Sequence, residues 1–430
     1  MTIMKLHFTG HPVKTIIEVP GDKSISHRAI MFAAIAHGKT TITNLLVGED
    51  VLQTIRCFRQ LGVDIQQSDE KVTVIGNGFH GLKEPRDVLY TGNSGTTTRL
   101  LFGLLASLPY TFTFTGDASL NNRPMKRITI PLTMMGATFI GRNNDQYLPM
   151  TIRGANLQAI NYHMPVASAQ VKSALIFAAL QANGITTIYE KAPSRNHTEI
   201  MLQYFGGQLR RQGNEIIVEG QQSLLGKDIH VPGDFSSAAF FIVMAAISDG
   251  REVTIKNVGL NPTRTGLVEV LQQMNGKITI TEPSIKNGER VGTIIVKASE
   301  LQGTVIEGEI IPRLIDEIPI IALLATQCSG TTIIKDASEL KVKESNRIDT
   351  VVTELRKLGA DIEATDDGLI IRGKRPLTGG IVNSHGDHRI GMMLAIAATI
   401  CKEEVILENP ECISISYPSF FQDLNKCFLK

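Results

Sequence analysis

The sequence predicts an α/β protein built from six βαβαββ-type repeats in two similar domains. Three observations carry that prediction. A frame of turn, apolar helix and strand recurs; an amphipathic helix and a strand pair follow five of its copies; and 430 residues are too many for one core.

The first frame, PGDKSISHRAIMFAAIAHGKTTITNL, begins at Pro20. It returns as TGNSGTTTRLLFGLLASLPYTFTFTG, PVASAQVKSALIFAALQANGITTIYE, PGDFSSAAFFIVMAAISDGREVTIKN, LIDEIPIIALLATQCSGTTIIKD and HGDHRIGMMLAIAATICKEEVILEN. Marked at Asp22, Ser94, Ser168, Ser236, Asp316 and Asp387, the copies stand 72, 74, 68, 80 and 71 residues apart. The second part of the repeat is plain in NRIDTVVTELRKLGADIEATDDGLIIRG. There Ile348, Val351, Val352, Leu355 and Leu358 share a helical face, and Gly359 supplies the left-handed residue after the helix. The sixth copy lacks closing strands, and an N-terminal strand around 13–19 is expected to complete that end of the molecule. One domain of three repeats, 20–228, is then inserted into another made of 1–19 plus 229–430, with a hinge near Pro20 and Pro232.

Hydrophobic residues make up 43% of the chain and charged residues 20%, as in a soluble globular protein. Lys plus Arg number 43 against 42 Asp plus Glu, which excludes a basic coat for nucleic acid or anionic membrane. Five scattered cysteines with no CxxC spacing read as reduced packing residues, and no apolar run reaches membrane-spanning length. A cytoplasmic location is expected.

The helix starts carry the chemistry. Gly21-Asp22 reads as a turn with an N-cap, yet Lys23, His27 and Arg28 crowd the first turns that follow. A cation there is unfavourable by about 0.3–1 kcal/mol against the helix macrodipole. Arg99, Arg123, Lys172, Arg195, Lys343, Arg347 and Arg389 also stand at or near helix starts. Converging helix starts offer free N–H groups, positive dipole ends and fixed cations, a setting for phosphate and carboxylate. The fourth copy, VPGDFSSAAFF, has lost the cations and is expected to face elsewhere or to pack the core.

PGDKSISHR, GNSGTTTR, NRPM, SAQVKSA, SRNHTE, LIDEIP, KVKESNR and GDHR occur in the order found in the 5-enolpyruvylshikimate-3-phosphate synthase family, which this chain resembles from Pro20 to Pro418. The resemblance implies an enolpyruvyl transferase-like, inside-out α/β barrel fold, two domains of three repeats closing over a cleft. It implies transfer of the enolpyruvyl group of phosphoenolpyruvate to the 5-hydroxyl of shikimate 3-phosphate with release of phosphate. The family uses no metal or organic cofactor. The implied partners are these small molecules alone, acting on a monomer.

For shikimate 3-phosphate the matched residues are Lys23, Ser24, Arg28, Ser168, Ala169, Gln170, Arg195, Asp316 and Lys343. For phosphoenolpyruvate they are Lys23, Asn93, Gly95, Thr96, Arg123, Gln170, Arg347 and Arg389. The addition–elimination chemistry needs two acid–base groups. The resemblance makes Asp316 the base at the 5-hydroxyl and Glu344 its partner at the methylene, with Lys23 assisting phosphate departure. One position departs from the family. Ile415, in ISISYP, stands where many members carry Lys or Thr, so a lysine contact to the donor is missing unless Lys426 or Lys430 supplies it. Two alternatives compete. A UDP-N-acetylglucosamine enolpyruvyl transferase would usually show Lys-Asn for Lys23-Ser24 and a loop cysteine, yet no cysteine falls between Cys57 and Cys328. A non-catalytic anion-binding repeat protein would have no need of both Asp316 and Glu344.

Overall fold

The repeated frames fold as helices too apolar to face water on any side, wrapped by the strands that follow them. The structure, a computed structural model, describes residues 2–8, 11–12, 14–69 and 71–429. The chain divides into an inserted unit, Gly21–Val231 with Lys286–Glu289, and a discontinuous unit, Met1–Pro20, Pro232–Ile285 and Arg290–Lys430. Each has its own apolar core. The inserted unit contains α1 (Lys23–Ile35), α2 (Glu49–Gln60), α3 (Gly95–Leu105), α4 (Lys126–Met134), α5 (Ala169–Ala179) and α6 (His197–Tyr204). The discontinuous unit contains α7 (Phe235–Ile247), α8 (Gly266–Gln273), α9 (Ile318–Thr326), α10 (Arg347–Lys357), α11 (His388–Ala397) and α12 (Phe420–Lys426).

Every complete repeat makes one four-strand pattern: a leading strand, a parallel strand after the first helix, then two antiparallel strands. In the second repeat Leu89–Tyr90 runs parallel to Thr111–Thr115, which pairs antiparallel with Tyr147–Arg153, itself flanked by Thr138–Gly141. The third repeats this with Asn161–His163, Ile185–Tyr189, Glu215–Glu219 and Arg210–Gln212. In the first, two short strands from the end of the unit, Leu224–Leu225 and Ile229–His230, share the leading place, both parallel to Ala36–Thr43, so that sheet has five strands. Alternating burial, as in Lys71–Asn77, turns one face of each sheet to the helices.

The N-terminus departs from expectation. Lys14–Glu18 does not close the sixth repeat; it leads the fourth, parallel to Glu252–Gly259, and Val13 lies outside the described residues. The sixth sheet is completed by Ile3–Leu6, antiparallel to Val405–Glu408, whose other edge pairs with Gly380–Asn383. The reason is directional. The fourth repeat needs a strand parallel to Glu252–Gly259, and Pro20, just after Lys14–Glu18, holds that strand beside α7 by accepting a backbone bond from its cap Asp234.

The central helices α1, α3 and α5 approach closely. A Cβ on Gly103 of α3 would lie 2.0 Å from the Ala174 carbonyl oxygen of α5, so only glycine fits. The carboxyl ends are finished the same way three times. Gly78, Ala155 and Gln222 each donate a backbone N–H to the C-cap carbonyl of their repeat's helix, at Ala36, Ala106 and Leu180. At the start of α1, Asp22 accepts from Ile25 N at 2.8 Å, as expected of an N-cap; Ser94, Ser168 and Asp387 cap α3, α5 and α11. In the fourth copy the cap is Asp234, not the marker Ser236, and α9 begins after Glu317, leaving Asp316 one residue outside. Gly359 ends α10 with φ +92°, as its sequence predicts.

Gly103→Ala is expected to destabilise the inserted unit by about 1–3 kcal/mol, because the new methyl meets backbone that cannot move aside. That exceeds the roughly 1 kcal/mol that alanine gains over glycine by helix propensity. A urea midpoint at or above that of the parent protein would refute the close-approach account.

Candidate active site

The structure gathers the predicted residues into two clusters, one within each unit. In the inserted unit Lys23 Nζ lies 3.2 Å from Asp50 Oδ2, in the first turn of α2, so the cation that strains the start of α1 is answered by a carboxylate. Ser24 is half-buried. Arg28 is buried and donates to Thr198 Oγ1 at 2.6 Å, Ser173 Oγ at 2.8 Å and the Ser24 carbonyl at 2.9 Å. At the start of α3, Arg123 donates to Asn93 Oδ1 at 2.7 Å, and Asn93 donates to Asp117. Gln170, at the start of α5 beside Ser168 and Ala169, accepts from Arg99 at 2.6 Å and donates to Thr96 Oγ1 at 3.2 Å. A Cβ on Gly95 would stand 3.0 Å from Arg99 Nη1 and 3.6 Å from Arg123 Nη1, so two guanidinium groups flank this glycine. Arg195 is half-buried just before α6.

In the discontinuous unit the organiser is Arg347, 1% exposed at the first position of α10. Its Nε donates to Asp387 Oδ2 at 2.8 Å and its Nη2 to Asp387 Oδ1 at 3.2 Å, a forked pair. The same Nη2 reaches Glu344 at 2.6 Å, and Nη1 reaches Asp316 at 3.2 Å. Burial works against the charge of Arg347, but Asp387, Glu344 and Asp316 outweigh it and its pKa lies above the usual guanidinium value. Burial alone would raise the Asp387 carboxyl; the Arg347 charge reverses this and holds it below the usual range. Lys343 stands 3.7 Å and Arg389 3.9 Å from the Asp316 carboxylate.

Three findings were not foreseen. Lys172, counted among the helix-start cations, is fully buried and turned onto Glu190 and Glu199. The fourth copy does have a cation: Arg264, from a distant segment, donates to Ser236 Oγ at 2.6 Å and pairs with the cap Asp234. Glu317, next to Asp316 in LIDEIP, is buried between Ser236 and Arg389. Its adjacency to Asp316 was the available signal; nothing local pointed to Arg264. Ile415 packs half-buried against the core, Lys426 pairs with Asp423 at 2.7 Å, and Lys430 lies outside the described residues. The five cysteines are free thiols, and burial pushes Cys57 and Cys328 up to about 12. A cavity of about 480 Å³ in the inserted unit, lined in part by Ile35, Ser107, Leu180 and Gln181, lies at the opposite helix ends and contains no predicted site residue.

Comparison with known proteins gives a consistent picture. The EPSP synthase (3-phosphoshikimate 1-carboxyvinyltransferase) family profile matches residues 8–424. A 3-phosphoshikimate 1-carboxyvinyltransferase of Bacillus cytotoxicus is 57% identical over 95% of this chain and 96% of its own length. The Geobacillus kaustophilus protein of that name is 57% identical over 98% and 99%. Among solved structures, EPSP synthase from Acinetobacter baumannii superposes with a TM-score of 0.89 at 42% identity, covering 100% of this chain and 98% of the other. The enolpyruvyl transferase NikO from Streptomyces tendae, at 15% identity and TM-score 0.81 over 99% and 97%, shares the fold.

A buried hydroxyl relay ties the first two helix starts of the inserted unit. His27 Nδ1 lies 2.7 Å from Thr54 Oγ1, which is 2.7 Å from Thr97 Oγ1, in turn 2.6 Å from Ser94 Oγ. Burial, with Lys23 and Arg28 adding to it, holds His27 well below its ordinary 6.5. Below about pH 6.5 the unfolded chain therefore binds a proton that the folded chain refuses. Stability is expected to fall as pH drops below that value, by up to about 1.4 kcal/mol per pH unit. His27→Asn should flatten this limb in denaturant titrations from pH 7 to 5; an unchanged slope would show that His27 is not its source.

Proposed function

This chain belongs to the EPSP synthase family, and on that premise we propose how its two clusters divide the reaction. The reaction is transfer of the enolpyruvyl group of phosphoenolpyruvate to the 5-hydroxyl of shikimate 3-phosphate, with release of inorganic phosphate, a step of aromatic amino acid biosynthesis. The observation that carries the proposal is the attachment of Asp316 and Glu344 to opposite ends of one buried guanidinium, Arg347. Two carboxylates fixed in this way can move two protons in a set geometry.

In the addition step Glu344 gives a proton to the methylene carbon of phosphoenolpyruvate while Asp316 takes the proton of the 5-hydroxyl, whose oxygen bonds to the neighbouring carbon. The product is a tetrahedral adduct. In the elimination step the new methyl loses a proton to the Glu344 carboxylate, the double bond re-forms, and phosphate departs with the proton that Asp316 held, Lys23 balancing its charge. Arg347 and Arg389 neutralise donor carboxylate and phosphate, with Asn93, Gly95, Thr96, Arg123 and Gln170 as the other donor ligands. Lys23, Ser24, Arg28, Ser168, Ala169, Gln170, Arg195, Asp316 and Lys343 receive the acceptor. Arg347 has a double task, since its fork also holds Asp387, the cap of the helix that carries Arg389. Buried thiols of the kind a reducing compartment preserves support a cytoplasmic reading.

Asp316→Asn and Glu344→Gln are each expected to lower phosphate release by about 10²- to 10⁴-fold, with shikimate 3-phosphate binding retained in Glu344→Gln. The assay runs with phosphoenolpyruvate and shikimate 3-phosphate, and in parallel with UDP-N-acetylglucosamine as acceptor. Release with only the sugar nucleotide would overturn the substrate assignment. Variants as fast as the parent protein would remove these carboxylates from the mechanism.

A further inference from the structure

We propose that Lys172 is a positioning residue for the acceptor, acting through Arg195. The proposal rests on the assignment of Arg195 to the acceptor phosphate. Lys172 sits in the first turns of α5, is fully buried, and reaches the segment that carries Arg195. Its Nζ donates to the Ser194 carbonyl at 3.1 Å and lies 3.1 Å from Glu190 Oε1 and 2.7 Å from Glu199 Oε1. Glu190 holds the same residue from the other side, accepting from Ser194 N at 3.0 Å and Ser194 Oγ at 2.5 Å. Arg211 closes the cluster, 2.9 Å from Glu190 and 3.7 Å from Glu199, so two cations balance two carboxylates.

The next residue, Ser173, repeats the tie one turn along the segment: its Oγ lies 2.6 Å from Thr198 Oγ1, and both meet Arg28. Arg195 is therefore pinned on both flanks, at Ser194 and Thr198, by consecutive residues of the helix whose start presents Ser168, Ala169 and Gln170. A buried ion cluster is a weak source of stability, because desolvation offsets most of its attraction; what it fixes is geometry. Lys172 thus sets the spacing between the acceptor-binding turn of α5 and the Arg195 arm. The donor-side pair Asn93 and Arg123 is held separately, on Asp117.

The test is a four-protein cycle of the parent, Lys172→Met, Arg195→Gln and the double variant, with KM read for each substrate. Lys172→Met should raise KM for shikimate 3-phosphate by about ten- to a hundredfold through misplacement of Arg195, with KM for phosphoenolpyruvate little changed. On the Arg195→Gln background the same substitution should add no more than about twofold. An unchanged acceptor KM in Lys172→Met, beside a raised one in Arg195→Gln, overturns the positioning role alone. Equal effects on both backgrounds overturn it too. An unchanged KM in Arg195→Gln refutes the underlying assignment and takes the proposal with it. If Lys172→Met does not fold, Glu199→Gln enters the same cycle under the same criteria.

Discussion

A helix buried along its whole length offers only its two ends to anything outside the core, and the chemistry of this protein follows from that constraint. From Ile25 to Ile35 every residue of α1 is buried, as is all of α7 from Phe235 to Ala246 and α9 throughout. Such helices must be covered on every side, and sheets together with the amphipathic second helices of the repeats do this. In the inserted unit the carboxyl ends receive backbone donors from the chain leaving each sheet. The amino ends remain, with caps at Asp22, Ser94 and Ser168 and cations close behind.

Several cations at the positive helix ends are held by carboxylates. Lys23 leans on Asp50, Arg347 forks onto Asp387, and Arg264 meets Asp234 at the fourth start. Each pair fixes a long side chain whose rotamer freedom is worth about 1.5–2 kcal/mol. The carboxylates serve order more than stability, and two more of them, Asp316 and Glu344, are held by Arg347.

Legibility of the sequence tracked the range of the forces involved. Repeats, the caps Asp22, Ser94, Ser168 and Asp387, the apolar face of α10 and Gly359 are set within a few residues, and those features lie where the motifs put them. The site residues also fall into clusters, since each motif opens a helix whose start is its address. What escaped depends on contacts across long sequence distances. Lys172 looks like any helix-start cation until Glu190 and Glu199 are seen beside it. Arg264 comes from a loop with no motif of its own. The strand Lys14–Glu18 alternates just as a sixth-sheet strand would, and only its parallel register with Glu252–Gly259 separates the two placements.

The placement of that strand bears on how the chain is born. Lys14–Glu18 leaves the ribosome about 240 residues ahead of its partner, and Ile3–Leu6 about 400 ahead of Val405–Glu408, so at roughly 5–20 residues per second both wait for tens of seconds. Nearly the whole inserted unit is contiguous and is synthesised within that interval. During synthesis Ile3–Leu6 and Lys14–Glu18 are without these partners, a state in which exposed strands invite wrong ones. Lys14 and Glu18, exposed on either side of Ile16, put charge on the strand that waits for the fourth repeat, a feature that discourages edge-to-edge pairing.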